Sequence, residues 1–305
     1  MGDPYRGDLF PPRVGRSALR ITNRPALAMV ECMAERYDLA GHPREPEFTR
    51  GWRSGRGRLV SVAQIRFDEQ IASRYDETSV HMYRAEVLDP AVDFLVELAG
   101  DGTALEFGIG TGRVALPLSG RGVPVHGIDI SEPMLEQLRR KPGSEHLVLT
   151  AGDFARTRVD GTFRLVYLVF NTITNLTTQD EQVACFRNAA AHLEPGGHFV
   201  IEVFVPELRR VPPGERIRAF DVRRNHLGFD EYTDFAAQIL YSHHYWIDAG
   251  NLRTFSAPYR YVWPAELDLM ARLAGMTPRE RWAGWTREPF TDESASHVSV
   301  WEKTG

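Results

Sequence analysis

Between residues 104 and 205 short, continuously apolar runs alternate with helix-like segments, without an internal repeat. The pattern predicts strands over 104–107, 123–130, 147–150, 165–170 and 198–205, with helices over 113–119, 132–140 and 180–193 between them. Strands that are apolar throughout, rather than at alternate positions, belong in a sheet covered on both faces. Strand and helix in alternation imply right-handed crossovers and a doubly wound, largely parallel α/β sheet. Ile65, Ala72 and Tyr75 suggest a helix ahead of this unit, and residues 91–98 a second.

The rhythm changes after Pro206. Runs over 239–247 and 252–263 alternate in polarity and flank Asp248-Ala249-Gly250-Asn251, which reads as a hairpin turn. A helix over 264–274 follows, with Pro264 in its first turn and Gly275 just past its end. The apolar run 297–301 is expected to return to the main sheet. Residues 206–263 therefore read as an antiparallel β insertion after the fifth strand of a domain spanning 61–305.

Residues 1–60 are rich in Arg, Pro and Gly, and 51–58 reads as linker. One short helix is expected over 26–39. This arm is disordered, docks on the main domain, or lies upstream of a true start near Val60 or Val62.

Composition excludes some functions. No apolar run approaches the roughly 20 residues of a membrane span, and the N-terminus lacks a secretory pattern. Cys32 and Cys185 are the only cysteines, too few and too far apart for a disulfide framework or a metal-ligand cluster. A formal charge of −5 without a basic stripe argues against nucleic acid and for a small-molecule substrate. The expectation is a cytoplasmic protein with no membrane or nucleic-acid partner, no metal, and a possible homodimer contact among its aromatic residues.

The first predicted strand runs into Glu106-Phe107-Gly108-Ile109-Gly110-Thr111-Gly112. Glycines there let the backbone turn sharply and approach a ligand without a Cβ in the way. A dinucleotide loop is spaced G-x-G-x-x-G and sets a pyrophosphate on the next helix. Here Arg113 takes the third-glycine position and Glu106 precedes the first glycine, so a ligand bearing an ammonium group suits the loop better than one bearing phosphates. Asp129, ending the second strand, can accept both hydroxyls of a ribose, although it can also cap the following helix, for which Ser131 is the better candidate. Asp153, after Gly152, can accept an exocyclic amino hydrogen of adenine. Phe154 offers an aromatic surface, and Ile130 and Met134 apolar ones.

Ammonium, ribose and adenine together describe S-adenosylmethionine. Four stretches in order, Leu105-Glu106-Phe107-Gly108-Ile109-Gly110-Thr111-Gly112, Gly127-Ile128-Asp129-Ile130-Ser131, Gly152-Asp153-Phe154 and Leu193-Glu194-Pro195-Gly196-Gly197, resemble the class I S-adenosylmethionine-dependent methyltransferases. The resemblance implies a Rossmann-like, seven-stranded sheet. It implies that Gly108, Gly110 and Gly112 contact the methionine part, Asp129 the ribose and Asp153 the adenine, with Glu106 near the amino group. Arg74-Tyr75-Asp76 resembles a segment of small-molecule N-methyltransferases in which the tyrosine closes over the cofactor. In relatives of this kind an antiparallel sheet after the fifth strand covers the substrate.

Transfer of a methyl from a sulfonium to a lone pair needs chiefly alignment, and an amine acceptor must first be neutral. With a pKa of about 10.4, roughly one amine in a few thousand is neutral at pH 7. Candidates for this work are few. Phe170 and Asn171 stand at the carboxyl end of the fourth predicted strand, where the methyl group is expected; Asn171 can orient a nucleophile but cannot act as a base. No Asn/Asp-Pro-Pro-Tyr element stands there, which counts against nucleobase and protein-glutamine acceptors. His243 and His244 point to opposite faces of a strand, so one of them can face the pocket. Tyr75 completes the set, and Trp282, Trp285 and Phe290 are candidates for pocket walls or a dimer contact. A methyltransferase acting on nitrogen or oxygen of a small molecule is expected. The rivals are a nicotinamide-dependent oxidoreductase and a non-catalytic cofactor-binding protein.

Overall fold

The protein is described by a computed structural model over residues 67, 69–248 and 251–305. The N-terminal arm, its expected helix and Cys32 lie outside the described residues. Two short helices, α1 (Glu69–Ala72) and α2 (Tyr75–Thr78), lead into α3 (Ala85–Ala99). There follow β1 (Ala104–Phe107), α4 (Ala115–Gly120), β2 (Val125–Asp129), α5 (Glu132–Arg139), β3 (Leu147–Ala151) and β4 (Phe163–Leu168). Then come α6 (Gln179–His192), β5 (Leu193–Phe204) and four consecutive strands, β6 (Ile217–Arg223), β7 (His226–Asp234), β8 (Ile239–Asp248) and β9 (Asn251–Arg260). The chain closes with α7 (Pro264–Leu273), β10 (Met276–Trp282) and β11 (Ser296–Lys303).

The main sheet has seven strands in the order β10-β11-β5-β4-β1-β2-β3. Strands β1 to β5 are parallel, and β11 runs antiparallel between β5 and β10. The doubly wound expectation holds, and the 297–301 run returns to the sheet as β11. Order 3-2-1-4-5 places the switch in winding direction between β1 and β4, so the carboxyl ends of these strands open a crevice there. Both faces are packed, as the apolar runs demand: every residue of β1 is buried. One face carries Phe107, Phe186, Phe199 and Trp301 under α6 and α7; the other carries Phe94, Leu118, Leu135 and Leu138 under α3, α4 and α5. Cys185 is a fully buried core residue.

Three elements depart from the sequence pattern. Helix α3 starts six residues before the expected 91 and runs through Pro90; burial of Leu88, Val92 and Leu95 on one face outweighs the missing backbone donor. Strand β10 was hidden because it contains Pro278 and three charged residues, which an edge strand with a bulge tolerates. Trp282 and Trp285, partly buried, pack against the core; the Trp285 ring meets Phe94 edge-on at 5.5 Å.

The insertion is a separate four-stranded antiparallel meander, β6-β7-β8-β9. Only its second hairpin was visible in the sequence, and Asp248 pairs with Asn251 across the expected two-residue turn, whose central residues lie outside the described set. Its root is fixed by Arg260, 4% exposed, which donates to Glu266 at 2.7 Å, to Gln238 at 3.1 Å and to the side-chain oxygen of Gln182. Gln182 in turn donates to the carbonyls of Ile173, Leu176 and Arg260. No helix among the described residues is long and apolar enough to cross a membrane.

Candidate active site

The glycine loop leaves β1 in a left-handed path, with φ of 70° at Gly108, 53° at Gly110 and 80° at Gly112. The outer two glycines are required by packing. A Cβ on Gly108 would lie 2.6 Å from the Thr172 methyl, and one on Gly112 only 2.3 Å from Leu138. Gly110 is different: a Cβ there would meet nothing nearer than a carbonyl at 4.0 Å. The space in front of Gly110 is therefore open, as a loop that receives a ligand requires. Gly110→Ala is expected to cost only about 1 kcal/mol of stability, for its left-handed φ, yet to abolish most cofactor binding. Gly112→Ala is expected to destabilise the protein instead. Thermal melting of both variants with and without S-adenosylhomocysteine separates the two outcomes.

Two buried carboxylates flank this opening. Asp129 accepts the Gly110 amide on one oxygen and the Ser131 amide on the other, both at 2.8 Å. Acceptor positions remain on the carboxylate beyond these amides, as binding of ribose hydroxyls requires. Burial raises its pKa, and the Ser131, Gly110 and Ile130 amides oppose that rise. Ser131 caps α5 through the Met134 amide, so the carboxylate of Asp129 is not spent on the cap. Glu106 is 2% exposed and accepts the Tyr167 hydroxyl at 2.9 Å. Burial pushes its pKa up to about 8, with Tyr167, Arg113 and the Ala115 amide pulling the other way. A cationic ligand group beside it would favour the ionised form.

Helix α2 closes over the loop. Asp76 accepts from Thr111 at 2.6 Å and Tyr83 at 2.5 Å and pairs with Lys141 at 2.5 Å, while Lys141 also donates to the Thr111 carbonyl at 2.7 Å. This cluster ties the N-terminal segment to the glycine loop and brings Tyr75 near Asp129. Burial raises the Tyr75 phenol to about 12; Arg113 opposes this, and Tyr259 and Asp129 add to it. The structure thus gathers Tyr75, Glu106, Gly108, Gly110, Gly112 and Asp129 with Arg113, a residue the sequence reading used only as a spacer, and Tyr259, which it did not single out.

At the far end of the opening, Phe170 and Asn171 both have left-handed backbones, with φ of 54° and 58°. Non-glycine residues hold that conformation only where neighbours fix it. Here Glu202 accepts the Phe170 amide at 2.9 Å and Trp285 at 2.9 Å, and the Asn171 amide donates to the Glu202 carbonyl. The Asn171 side-chain oxygen is engaged too, accepting the Phe204 amide at 2.6 Å, so it braces the β4 and β5 ends rather than facing a nucleophile through that atom. Arg113 lies over the Phe170 ring at 5.5 Å.

The adenine side is mixed. Asp153 follows Gly152 at the end of β3 and turns one oxygen onto the Ala155 amide at 2.9 Å. Phe154 stacks on Phe107 at 5.9 Å inside the core and is 7% exposed, so most of its surface goes to packing. Met134 is 3% exposed and Ile130 half-buried. The histidines separate as strand geometry requires. His244 shares a face of the insertion sheet with Tyr259, whereas His243 lies on the opposite face, held by Ser256 at 2.7 Å and Glu231 at 3.2 Å. Both ring nitrogens of His243 are thereby engaged.

A seven-stranded sheet of this order, with an open glycine loop between two buried carboxylates, defines a class I methyltransferase fold. The methyltransferase domain family matches residues 104–197. The CcbJ methyltransferase of Streptomyces caelestis is 36% identical, with a TM-score of 0.70 over 79% of this chain and 99% of its own. A cypemycin N-terminal methyltransferase from a Streptomyces species is 29% identical over 240 residues, 76% of this chain and 98% of that protein. An S-adenosylmethionine-bound amino pentose methyltransferase from Micromonospora echinaspora shares the fold, at TM-score 0.57 and 24% identity over 75% of this chain and 96% of its own. The chain belongs to the S-adenosylmethionine-dependent methyltransferases, and S-adenosylmethionine is its cofactor.

Proposed function

We propose that this enzyme moves the methyl group of S-adenosylmethionine to an amine nitrogen of a small molecule or peptide, by in-line displacement. The observation that supports the acceptor side is that Tyr259 of the insertion sheet, residues 206–263, is near enough to Tyr75 to raise its phenol, which favours an acceptor site under the insertion. In the proposed complex the open space at Gly110 takes the methionine part. Glu106 neutralises its ammonium group, Asp129 holds the ribose, and Asp153 with Ile130 and Met134 borders the adenine. Tyr75 covers the sulfonium side. Nitrogen is preferred over oxygen because of Arg74-Tyr75-Asp76 and because the curated relative that this chain spans almost fully is an N-terminal methyltransferase.

The first test needs no acceptor. S-Adenosylhomocysteine at about 100 times its Kd adds roughly 2.7 kcal/mol to folding, which for a domain of this size is a rise in Tm of about 5–10 °C. No rise at saturation overturns the proposal. Transfer of labelled methyl to amine but not hydroxyl acceptors then checks the choice of nitrogen.

A further inference from the structure

The inner face of the insertion sheet carries an unbroken polar row. Residues sharing the Tyr259 face are fixed by register: Tyr232, Leu240 and Tyr259 form one rung, and Arg218, Asp230, Ser242 and Ala257 the next. The third rung holds Asp221, Gly228, His244 and Phe255, and the fourth His226, Trp246 and Arg253. Alternation would place apolar side chains on the covered face of such a sheet. This face instead places acid, hydroxyl and imidazole in sequence.

The groups are connected. Asp230 is hydrogen-bonded to Ser242. The Ser242 hydroxyl lies 3.5 Å from His244 Nε2, His244 Nδ1 lies 3.1 Å from His226 Nε2, and His226 Nδ1 lies 2.7 Å from Asp221. The Asp221 carboxylate requires a proton on His226 Nδ1, which leaves Nε2 to accept from His244 Nδ1–H and His244 Nε2 to accept from Ser242. At rest the Ser242 hydroxyl donates to the Asp230 carboxylate; once Asp230 holds a proton that link reverses, Ser242 turns to His244 Nε2, and every link points one way. His226 is buried and His244 half-buried: Trp246 stacks on both rings at 5.2 Å, and Phe220, at a bulge, reaches His244 at 5.3 Å across Gly228, where a side chain would collide with it. Charged groups around the row are Arg218 beside Asp230, Arg223 beside Asp221 and His226, and His243 on the adjoining position of β8.

We infer that this row is a proton track serving the proposed amine methylation, with Asp230 accepting a proton from the acceptor's ammonium group and Ser242, His244 and His226 passing one on to Asp221 at the edge strand. An ammonium nitrogen has no lone pair. Once its proton passes to the Asp230 carboxylate, the neutral amine forms the C–N bond as the C–S bond breaks, leaving a thioether and a methylated ammonium ion. Shifting one proton along each link delivers it to Asp221, where the Arg223 guanidinium holds the carboxyl below its usual range, so the proton passes on to water. Burial raises the pKa of Asp230, with Ser242, Arg218 and His243 opposing, and burial with the neighbouring His226 keeps His244 neutral by lowering it to about 4.

The inference rests on the proposed function, and the test separates the two. Full-length enzyme is assayed from pH 6 to 9 with S-adenosylmethionine and either glucosamine or trialanine, which distinguish an amino sugar from a peptide terminus as the source of the amine. Asp230→Asn should lower kcat about 100-fold and make it rise tenfold per pH unit, because hydroxide must replace the lost base. His226→Asn should show the same slope with a smaller loss. If that variant fails to bind S-adenosylhomocysteine through misfolding, Asp221→Asn at the exposed end reads the same slope. Variants that bind S-adenosylhomocysteine normally yet keep kcat within twofold and the wild-type pH profile overturn the track. So does wild-type enzyme that binds S-adenosylhomocysteine and methylates neither amine. Failure of wild-type enzyme to bind S-adenosylhomocysteine overturns the proposed function itself.

Discussion

Glu106→Gln is expected to raise the Tm of the cofactor-free protein at pH 8 while weakening S-adenosylhomocysteine binding by one to two orders of magnitude. In the folded chain the Glu106 carboxyl titrates near 8, against an ordinary 4.5. Between those values the native state holds one proton more than the unfolded chain. Stability therefore falls as pH rises through this window, by up to about 1.4 kcal/mol per unit. The loss is complete above the folded value and absent below the unfolded one. Glutamine keeps the shape and the bond to Tyr167 without a charge to desolvate, so its contribution stays flat with pH. The ligand's ammonium group reverses the preference, because an ionised partner inside the site is stabilised by it. Binding to the wild type should release a proton, and its affinity should drop about tenfold per pH unit below 8. Calorimetry in buffers of different ionisation enthalpy reads that proton. Equal proton release by the wild type and Glu106→Gln would remove Glu106 from the proposed cofactor site.

Arg260→Met should have the largest effect on folding of any single change at the insertion. The guanidinium joins the end of β9 to Glu266 at the start of α7, to Gln238 in the β7–β8 turn and to Gln182 on α6. Side-chain exposure is 5% for Arg260 and 14% for Glu266, so removing one partner strands a carboxylate with little access to water. Breaking such a pair costs about 3–5 kcal/mol. Urea denaturation of the variant should show that loss. Adding Glu266→Gln should recover part of it, because the stranded charge is removed. A loss below about 1 kcal/mol would mean that the network does not anchor the sheet.

The parts of the fold written as largely apolar runs were legible in the sequence because burial on both faces leaves little room for polar side chains in β1, β2, β4 and β5. The glycine loop was legible because a left-handed turn with close packing admits no other residue at Gly108 and Gly112. Strands β6 and β7 were not legible, and the reason is physical. Their covered face bears Asp221, His226 and Asp230 instead of apolar residues, so alternation in hydrophobicity, the signal by which a half-buried strand is read, is absent. His226 was missed for that reason, and Arg113 and Tyr259 because their importance depends on which residues stand across from them.

The opening strand–loop unit also shows where the boundary lies. Sequence by itself determined the sheet, the methyl donor and the two carboxylates at strand ends, since each follows from local patterning and spacing along a short stretch of chain. Tertiary structure alone decided which glycine faces open space, that Glu106 is buried enough to titrate near 8, and which of two adjacent histidines shares a sheet face with Tyr259. Those properties arise from groups distant in sequence: Thr172 and Leu138 against the loop, Tyr167 on Glu106, and a sheet register that puts His244 and Tyr259 on one face. Burial, register and desolvation are sums over neighbours, and the linear chain does not name its neighbours.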